Sequence, residues 1–284
     1  MLRQREFNWR AIGMMLAVLV VAPNAAAGDS EQLVGVTGKP ISFVTCPIVR
    51  DTATVPCWLA EYDGELYYLG IQVDIGAAWY PPQLGHDVLV EGRVAADRPR
   101  ICGGIVIEPI RTSVLPELNP ACTTMWPAED RYTVPFAPRG PGPANRGLER
   151  QRQQPDPQAQ IDLPAPTAPS NGPKDFVVHF DFDTHLMPGG RPARIIGDAI
   201  RYAQAAKAKR IVVTGYRGIS RLSDGRELVE MPVIPERRAQ MVAYAFREAG
   251  IEPSVLEVRW QAEPEPGNGI DDPSRRRVVI AISP

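Results

Sequence analysis

Between Phe136 and Pro173 the chain carries Pro138, Pro141, Pro143, Pro155, Pro157, Pro164, Pro166 and Pro169, interleaved with Gln, Gly and Arg and with few large apolar side chains. A stretch of that composition buries too little surface to offset its chain entropy, so it predicts a disordered, semi-extended linker across residues 136–173. The 284-residue chain therefore divides into two modules, in keeping with domains of roughly 100–200 residues. At about 3.1 Å per residue the linker would reach on the order of 100 Å, enough for two independently folding modules to work far apart.

Ahead of the first module, Met1 to Arg10 is positively charged, Ala11 to Val21 is apolar, and Ala25-Ala26-Ala27 supplies the small residues of a cleavage site. Residues 1–27 thus predict a secretory signal peptide, with an apolar run shorter than the ~20 residues of a membrane span. No cysteine follows the cleavage site, which speaks against a lipoprotein anchor. In an exported chain the even set Cys46, Cys57, Cys102 and Cys122 predicts two disulfides. Three connectivities are possible; pairing Cys46 with Cys57 and Cys102 with Cys122 is preferred because each bond would pin a turn-rich loop. A metal site including His86 is the alternative, weakened by the lack of short C-x-x-C spacing.

Residues 28–135 read as a small all-β module. Trp58–Tyr62 and Glu65–Val73 flank Asp63-Gly64, a dipeptide that tolerates positive φ and predicts a tight hairpin. With Pro40–Thr45, Asp87–Val94 and Ile105–Ile107 this gives about five strands, the size of an OB-type barrel, with a small sandwich as the alternative. Trp58, Tyr62, Tyr67, Tyr68, Trp79 and Tyr80 form either a stacking platform for a ligand or the module's own core. The net charge of −2, with no Lys/Arg cluster around these aromatics, argues against nucleic acid as a partner.

Residues 174–284 change period. Phe176 to Phe182 alternates as a strand, and Ile195–Ala208 is an amphipathic helix. Ile211–Gly215 is a buried strand, and Val255–Gln261 and Arg276–Ile282 are further strands. In Ile234–Ile251, Ala239, Val242, Ala243, Phe246 and Ala249 form one apolar stripe, with Pro235 where a first-turn proline is tolerated and Gly250 where a helix stops. The order is β-α-β-α-β-β, so the whole chain is of the α+β class. His179 and His185 are close in sequence, but no third ligand accompanies them. Arg275, Arg276 and Arg277 read as a basic edge before the last strand.

Phe180-Asp181-Phe182-Asp183 after the first strand, Gly215-Tyr216 after the second, Glu236-Arg237-Arg238-Ala239 opening the second helix and Arg276-Arg277-Val278 at the last strand resemble the OmpA-like domain, a peptidoglycan-binding module of bacterial envelope proteins. The resemblance covers about the last third of the chain. It implies a site in which an aspartate takes the ammonium of a diaminopimelate stem peptide and an arginine fork takes its carboxylate. Arg238 matches that arginine, and Tyr216 lies in the turn beside it. The aspartate position falls on Gly218, so a replacement carboxylate is expected from the long loop that follows, from Asp224, Glu227 or Glu230.

No nucleophile elbow, phosphate-cradling glycine loop or zinc-protease helix motif occurs, so neither an enzyme nor a cofactor is expected. The expected protein is a periplasmic, non-catalytic component at the outer membrane and cell wall, tethering its N-terminal module to peptidoglycan. That module is expected to engage other envelope proteins. The alternative is a protein-interaction component of a secretion or conjugation assembly that has lost peptidoglycan binding; an open cleft at Arg238 would favour the first, a filled one the second.

Overall fold

The computed structural model describes residues 38–72, 80–134, 172–186 and 191–284. The expected signal peptide, Trp79 and nearly all of the expected linker lie outside the described residues.

The N-terminal lobe contains β1 (Pro40–Thr45), β2 (Pro47–Arg50), β3 (Cys57–Tyr62), β4 (Glu65–Ile71), β5 (His86–Val94), β6 (Ile105–Leu118) and β7 (Met125–Trp126). They join in one seven-stranded order, β1-β5-β6-β4-β3-β2-β7. The β3–β4 turn has the form expected of Asp63-Gly64, with φ of 52° and 75°. β1 and β2 are separated only by Cys46, and that one stretch pairs through β1 with β5 and through β2 with β3. β4 and β6 pair in parallel. β6 is longer than its three-residue sequence signal because Pro109, which has no N–H to give a ladder, sits where the register with β5 shifts between Gly92 and Val94.

Of the aromatic set, Trp58, Tyr62, Tyr67 and Tyr68 pack into this lobe's core. Trp58 and Tyr67 are buried beside Ile41, Phe43, Leu69 and Val90. Tyr62 stacks on Phe43 with ring centroids 4.5 Å apart. Arg50, itself buried, lies 4.4 Å from the ring centroids of both Trp126 and Tyr132, which fixes the returning segment after β6 against β2.

Two disulfides are present, but their pairing corrects the sequence expectation: Cys46 joins Cys122 and Cys57 joins Cys102. Nearness in sequence reflects only loop closure, whereas the fold decides which cysteines meet. The segment after β6 returns to the start of β2, with Val49 N–H donating to Thr124 O, and so carries Cys122 to Cys46. The parallel β4–β6 pairing, beside β3, brings Cys102 to Cys57.

The C-terminal lobe follows the expected order: β8 (Lys174–His179), α1 (Arg191–Ala205), β9 (Arg210–Gly215), α2 (Ile234–Glu248), β12 (Leu256–Trp260) and β13 (Arg277–Ser283). Between β9 and α2 the long loop forms a hairpin of its own, β10 (Ile219–Arg221) with β11 (Glu227–Val229). The main sheet runs β12-β9-β13-β8, with β12 parallel to β9 and β13 antiparallel to both of its neighbours. Ala239, Val242 and Phe246 of α2 pack into a core with Val178, Phe180, Ile196, Ile211, Val213 and Ile280. A Cβ at Gly215 would meet Pro235 O at 1.9 Å, so glycine there lets the end of β9 approach the first turn of α2.

The two lobes do not stand apart; their described residues fall within one compact unit. On β5, Val88 and Val90 face the N-terminal core, while Leu89 packs with Phe182 and Leu222 of the other lobe. Glu91, on the same outer face, forms a buried ion pair with Arg276 at 2.5 Å. Ser223 N–H donates to Ser42 O at 2.7 Å, and Ser42 N–H donates to Ser223 Oγ at 2.9 Å. Phe182 N–H donates to Ser113 Oγ, and Tyr80 N–H to Asp181 Oδ2. The expectation of two modules working far apart is thus corrected. Each lobe's apolar period reports its own core, and nothing in it shows that the outer face of β5 has a partner.

Peptide mapping of the non-reduced protein is expected to yield linked peptides Cys46–Cys122 and Cys57–Cys102, whose removal costs on the order of 2–5 kcal/mol in a small exported domain. A Cys46–Cys57 peptide would contradict this topology.

Candidate functional site

Arg238 is the fifth residue of α2, just past its first turn, in a helix that has Pro235 at its start and no side-chain cap. A cation buried near that end of the helix needs a partner. Arg238 is fully buried, and all five of its guanidinium N–H groups are engaged. Nε donates to Thr184 O at 2.8 Å. Nη1 donates to Tyr216 O and to Glu230 Oε2, both at 2.9 Å. Nη2 donates to Asp181 O at 2.9 Å and to Glu230 Oε1 at 2.5 Å. The aromatic face of Phe180 lies 5.2 Å below the guanidinium carbon.

Glu230 is buried to the same degree and is the carboxylate of this fork. Its Oε2 also accepts from Gly218 N–H at 2.9 Å, and its Oε1 accepts from Asp183 N–H at 2.8 Å. The position where the resembled family carries an aspartate therefore still faces a carboxylate, supplied from twelve residues further on. A Cβ at Gly218 would meet Arg275 Cβ at 3.0 Å, so a side chain there is crowded by the turn that precedes β13. The cleft is filled.

The other two acids of the loop do not reach this place. Asp224 is exposed and tied to Arg226, which draws its carboxyl below the usual range through hydrogen bonds from the Arg226 backbone and side chain. Glu227 is exposed on β11. Tyr216 contributes its carbonyl to Arg238, while its ring lies 4.4 Å from the Arg277 guanidinium. Only geometry separates Glu230 from its two neighbours. Its one sequence signal is that it closes the loop just before the helix that carries Arg238.

The Phe180–Asp183 segment makes the opposite wall. Asp181 and Thr184 offer carbonyls to Arg238, and Asp183 Oδ1 accepts from Met231 N–H at 2.7 Å. Burial raises the Asp183 carboxyl above its ordinary value, against the pull of that Met231 hydrogen bond. Burial also lowers the His185 imidazole, with the Arg237 and Arg238 cations adding to the effect. Asp181 is buried at the lobe junction, where desolvation pushes its carboxyl up to about 6 despite the Tyr80 N–H and the cations of Arg111, Arg276 and Arg238. Its Oδ1 is without a hydrogen-bond partner.

A second charged cluster adjoins the first. Arg276 Nη1 donates to Glu91 Oε1 at 3.0 Å and to Ser220 Oγ at 2.7 Å, and Ser220 Oγ in turn donates to Glu91 Oε1 at 3.0 Å. Burial disfavours the Arg276 cation, but Glu91 outweighs it and the guanidinium is held above its ordinary value. In the sequence Arg276 reads as part of a basic edge; this role leaves no local signal there, because its partner lies in the other lobe. At the cysteines no metal ligand set is available: the sulfurs near Asp87 are bonded to each other, and His86 Nδ1 is 2.8 Å from Leu115 O.

No protein-family model matches the chain, and no curated protein matches it. Among solved structures it is similar to the OmpA-like domain of FopA1 from Francisella tularensis, at 18% identity over 39% of this chain and 73% of that one, with a TM-score of 0.32. The periplasmic domain of Helicobacter pylori MotB matches at 18% identity over 36% and 69%, TM-score 0.27. The peptidoglycan-associated lipoprotein from Burkholderia pseudomallei matches at 16% identity over 38% and 88%, TM-score 0.30.

Two outcomes are expected from this geometry. Arg238→Ala leaves Glu230 buried without its cation and should cost about 3–5 kcal/mol in chemical denaturation, so it is a lesion of the fold as well as of the site. For Asp181, the folded chain keeps its proton up to about pH 6 while the ordinary value is 3.8, so the folded state binds more protons in that interval. Stability from this group is present at low pH and lost as pH rises through about 6. Asp181→Asn should therefore melt higher than wild type at pH 7.5, by the equivalent of about 2–3 kcal/mol, and show no such gain at pH 3.5. An equal gain at both pH values would refute the buried-charge explanation.

Proposed function

We propose that this protein is a non-catalytic component of the bacterial cell envelope, exported to the periplasm, whose C-terminal lobe recognises the diaminopimelate stem peptide of peptidoglycan. Arg238 and Glu230, with Tyr216 and the Gly218 N–H, are the proposed site. The observation that carries the reading is the Arg238 fork itself. It holds a carboxylate bidentately against the Gly218 N–H, the chemistry needed for a ligand carboxylate, with Glu230 in the ligand's place. The N-terminal lobe is then the part held near the cell wall, and it offers its surface to other envelope proteins. Among the described residues no helix is long and apolar enough to cross a membrane.

A second reading has an observation in its favour. Arg238 is fully buried with every donor satisfied, so the cleft is filled, and by the criterion drawn from the sequence this outcome favours an assembly component that keeps the fold and has lost wall binding.

Sedimentation of the mature full-length chain with purified sacculi separates the two. The first reading expects weak, saturable co-sedimentation that a free tripeptide ending in meso-diaminopimelate releases. Sedimentation indifferent to the tripeptide, or none even when the lobe interface is broken, favours the second.

A further inference from the structure

The β10–β11 hairpin touches both the lobe interface and the filled fork. Its strands form a two-stranded sheet apart from the two larger sheets, so its neighbours set its position. Toward the N-terminal lobe, Ser220 is bonded to Glu91, Leu222 is buried against Leu89, and Ser223 exchanges hydrogen bonds with Ser42. Toward its own lobe, Ile219 N–H donates to Glu265 O and Arg221 N–H to Asp272 Oδ2. The residue that follows β11 is Glu230, the carboxylate in the Arg238 fork.

We infer that the docked N-terminal lobe is a latch: by holding the hairpin it keeps Glu230 on Arg238, and its undocking frees that fork for an external carboxylate. The two ends of the hairpin are unequally secured. The Arg238–Glu230 pair is complete in its hydrogen bonds, whereas at the lobe junction both Arg276 Nε of the Arg276–Glu91 pair and Asp181 Oδ1 are buried without a partner. The junction is therefore where opening begins. A zwitterionic amino-acid end suits the opened fork, since its carboxylate replaces that of Glu230 on Arg238 and its ammonium pairs with the displaced Glu230. No charge is then left unpaired. The identity of that ligand rests on the peptidoglycan reading above; the latch does not.

The test uses the full-length chain carrying Glu91→Lys. Glu91 lies on the outer face of β5, away from the N-terminal core, and a lysine there meets Arg276 with like charge. Backbone amide exchange is followed by NMR at three places: the interface amides of Phe182 and Ser223, the fork amides of Gly218 and Asp183, and β9 as an internal reference. Interface and fork amides should both exchange about tenfold faster or more while β9 is unchanged. Addition of a tripeptide ending in meso-diaminopimelate should slow the fork amides again. If the interface amides accelerate and Gly218 and Asp183 keep wild-type protection, the latch is wrong. Should β9 lose protection as well, Leu222→Asp opens the same interface from the hairpin side, with the same two outcomes. If neither substitution speeds Phe182 and Ser223, the buried contacts do not hold the lobes together and the proposal fails. A fork that opens but binds neither tripeptide nor sacculi upholds the latch and defeats the peptidoglycan reading.

Discussion

A guanidinium and a carboxylate taken out of water together each lose several kcal/mol of hydration, and their attraction offsets this only when the remaining donors and acceptors are also met. Arg238 and Glu230 satisfy that condition. Five N–H groups of the arginine find oxygens, and the carboxylate takes two further N–H groups, from Gly218 and Asp183. The placement of the surrounding elements follows from this set of bonds. The end of β9 must come close to α2, which only a glycine at 215 allows. The segment after β8 must turn its carbonyls inward, which Asp183 permits by adopting a φ of 56°. The loop before α2 must return to the Gly218 turn, and it does so as a hairpin.

What was legible in the sequence were the features with short-range causes. The stripe Ala239, Val242, Ala243 and Phe246, the Pro235 start and the Gly250 stop each act within a turn or two of helix, and α2 follows them. Asp63-Gly64 likewise encodes its own turn. Arg238 was legible from the motif and the three candidate acids from their place in the loop after Gly218, but choosing Glu230 among them depends on where a hairpin of two three-residue strands ends. Such strands are too short to show a period. The disulfide pairing and the lobe junction were not legible for a related reason. Leu89 and Glu91 alternate correctly with Val88 and Val90, yet alternation says only that they share a face, not that Leu222 and Arg276 cover it.

The lobe junction and the fork answer to the same constraint. The N-terminal lobe supplies Tyr80 N–H to the Asp181 carboxylate, and the Asp181 carbonyl is one of the oxygens that hold Arg238. A lobe seated there leaves little water for the fork, and a buried arginine without a carboxylate would be costly by several kcal/mol. A two-lobe chain of this design must therefore carry its own counter-ion whenever the lobes are docked. Glu230, at the end of a hairpin held by both lobes, is placed where that counter-ion is supplied in the docked form and withdrawn with the hairpin. The same carboxylate that makes the docked state tolerable is what an external ligand must displace, so closing the lobes and occupying the fork are competing uses of one arginine.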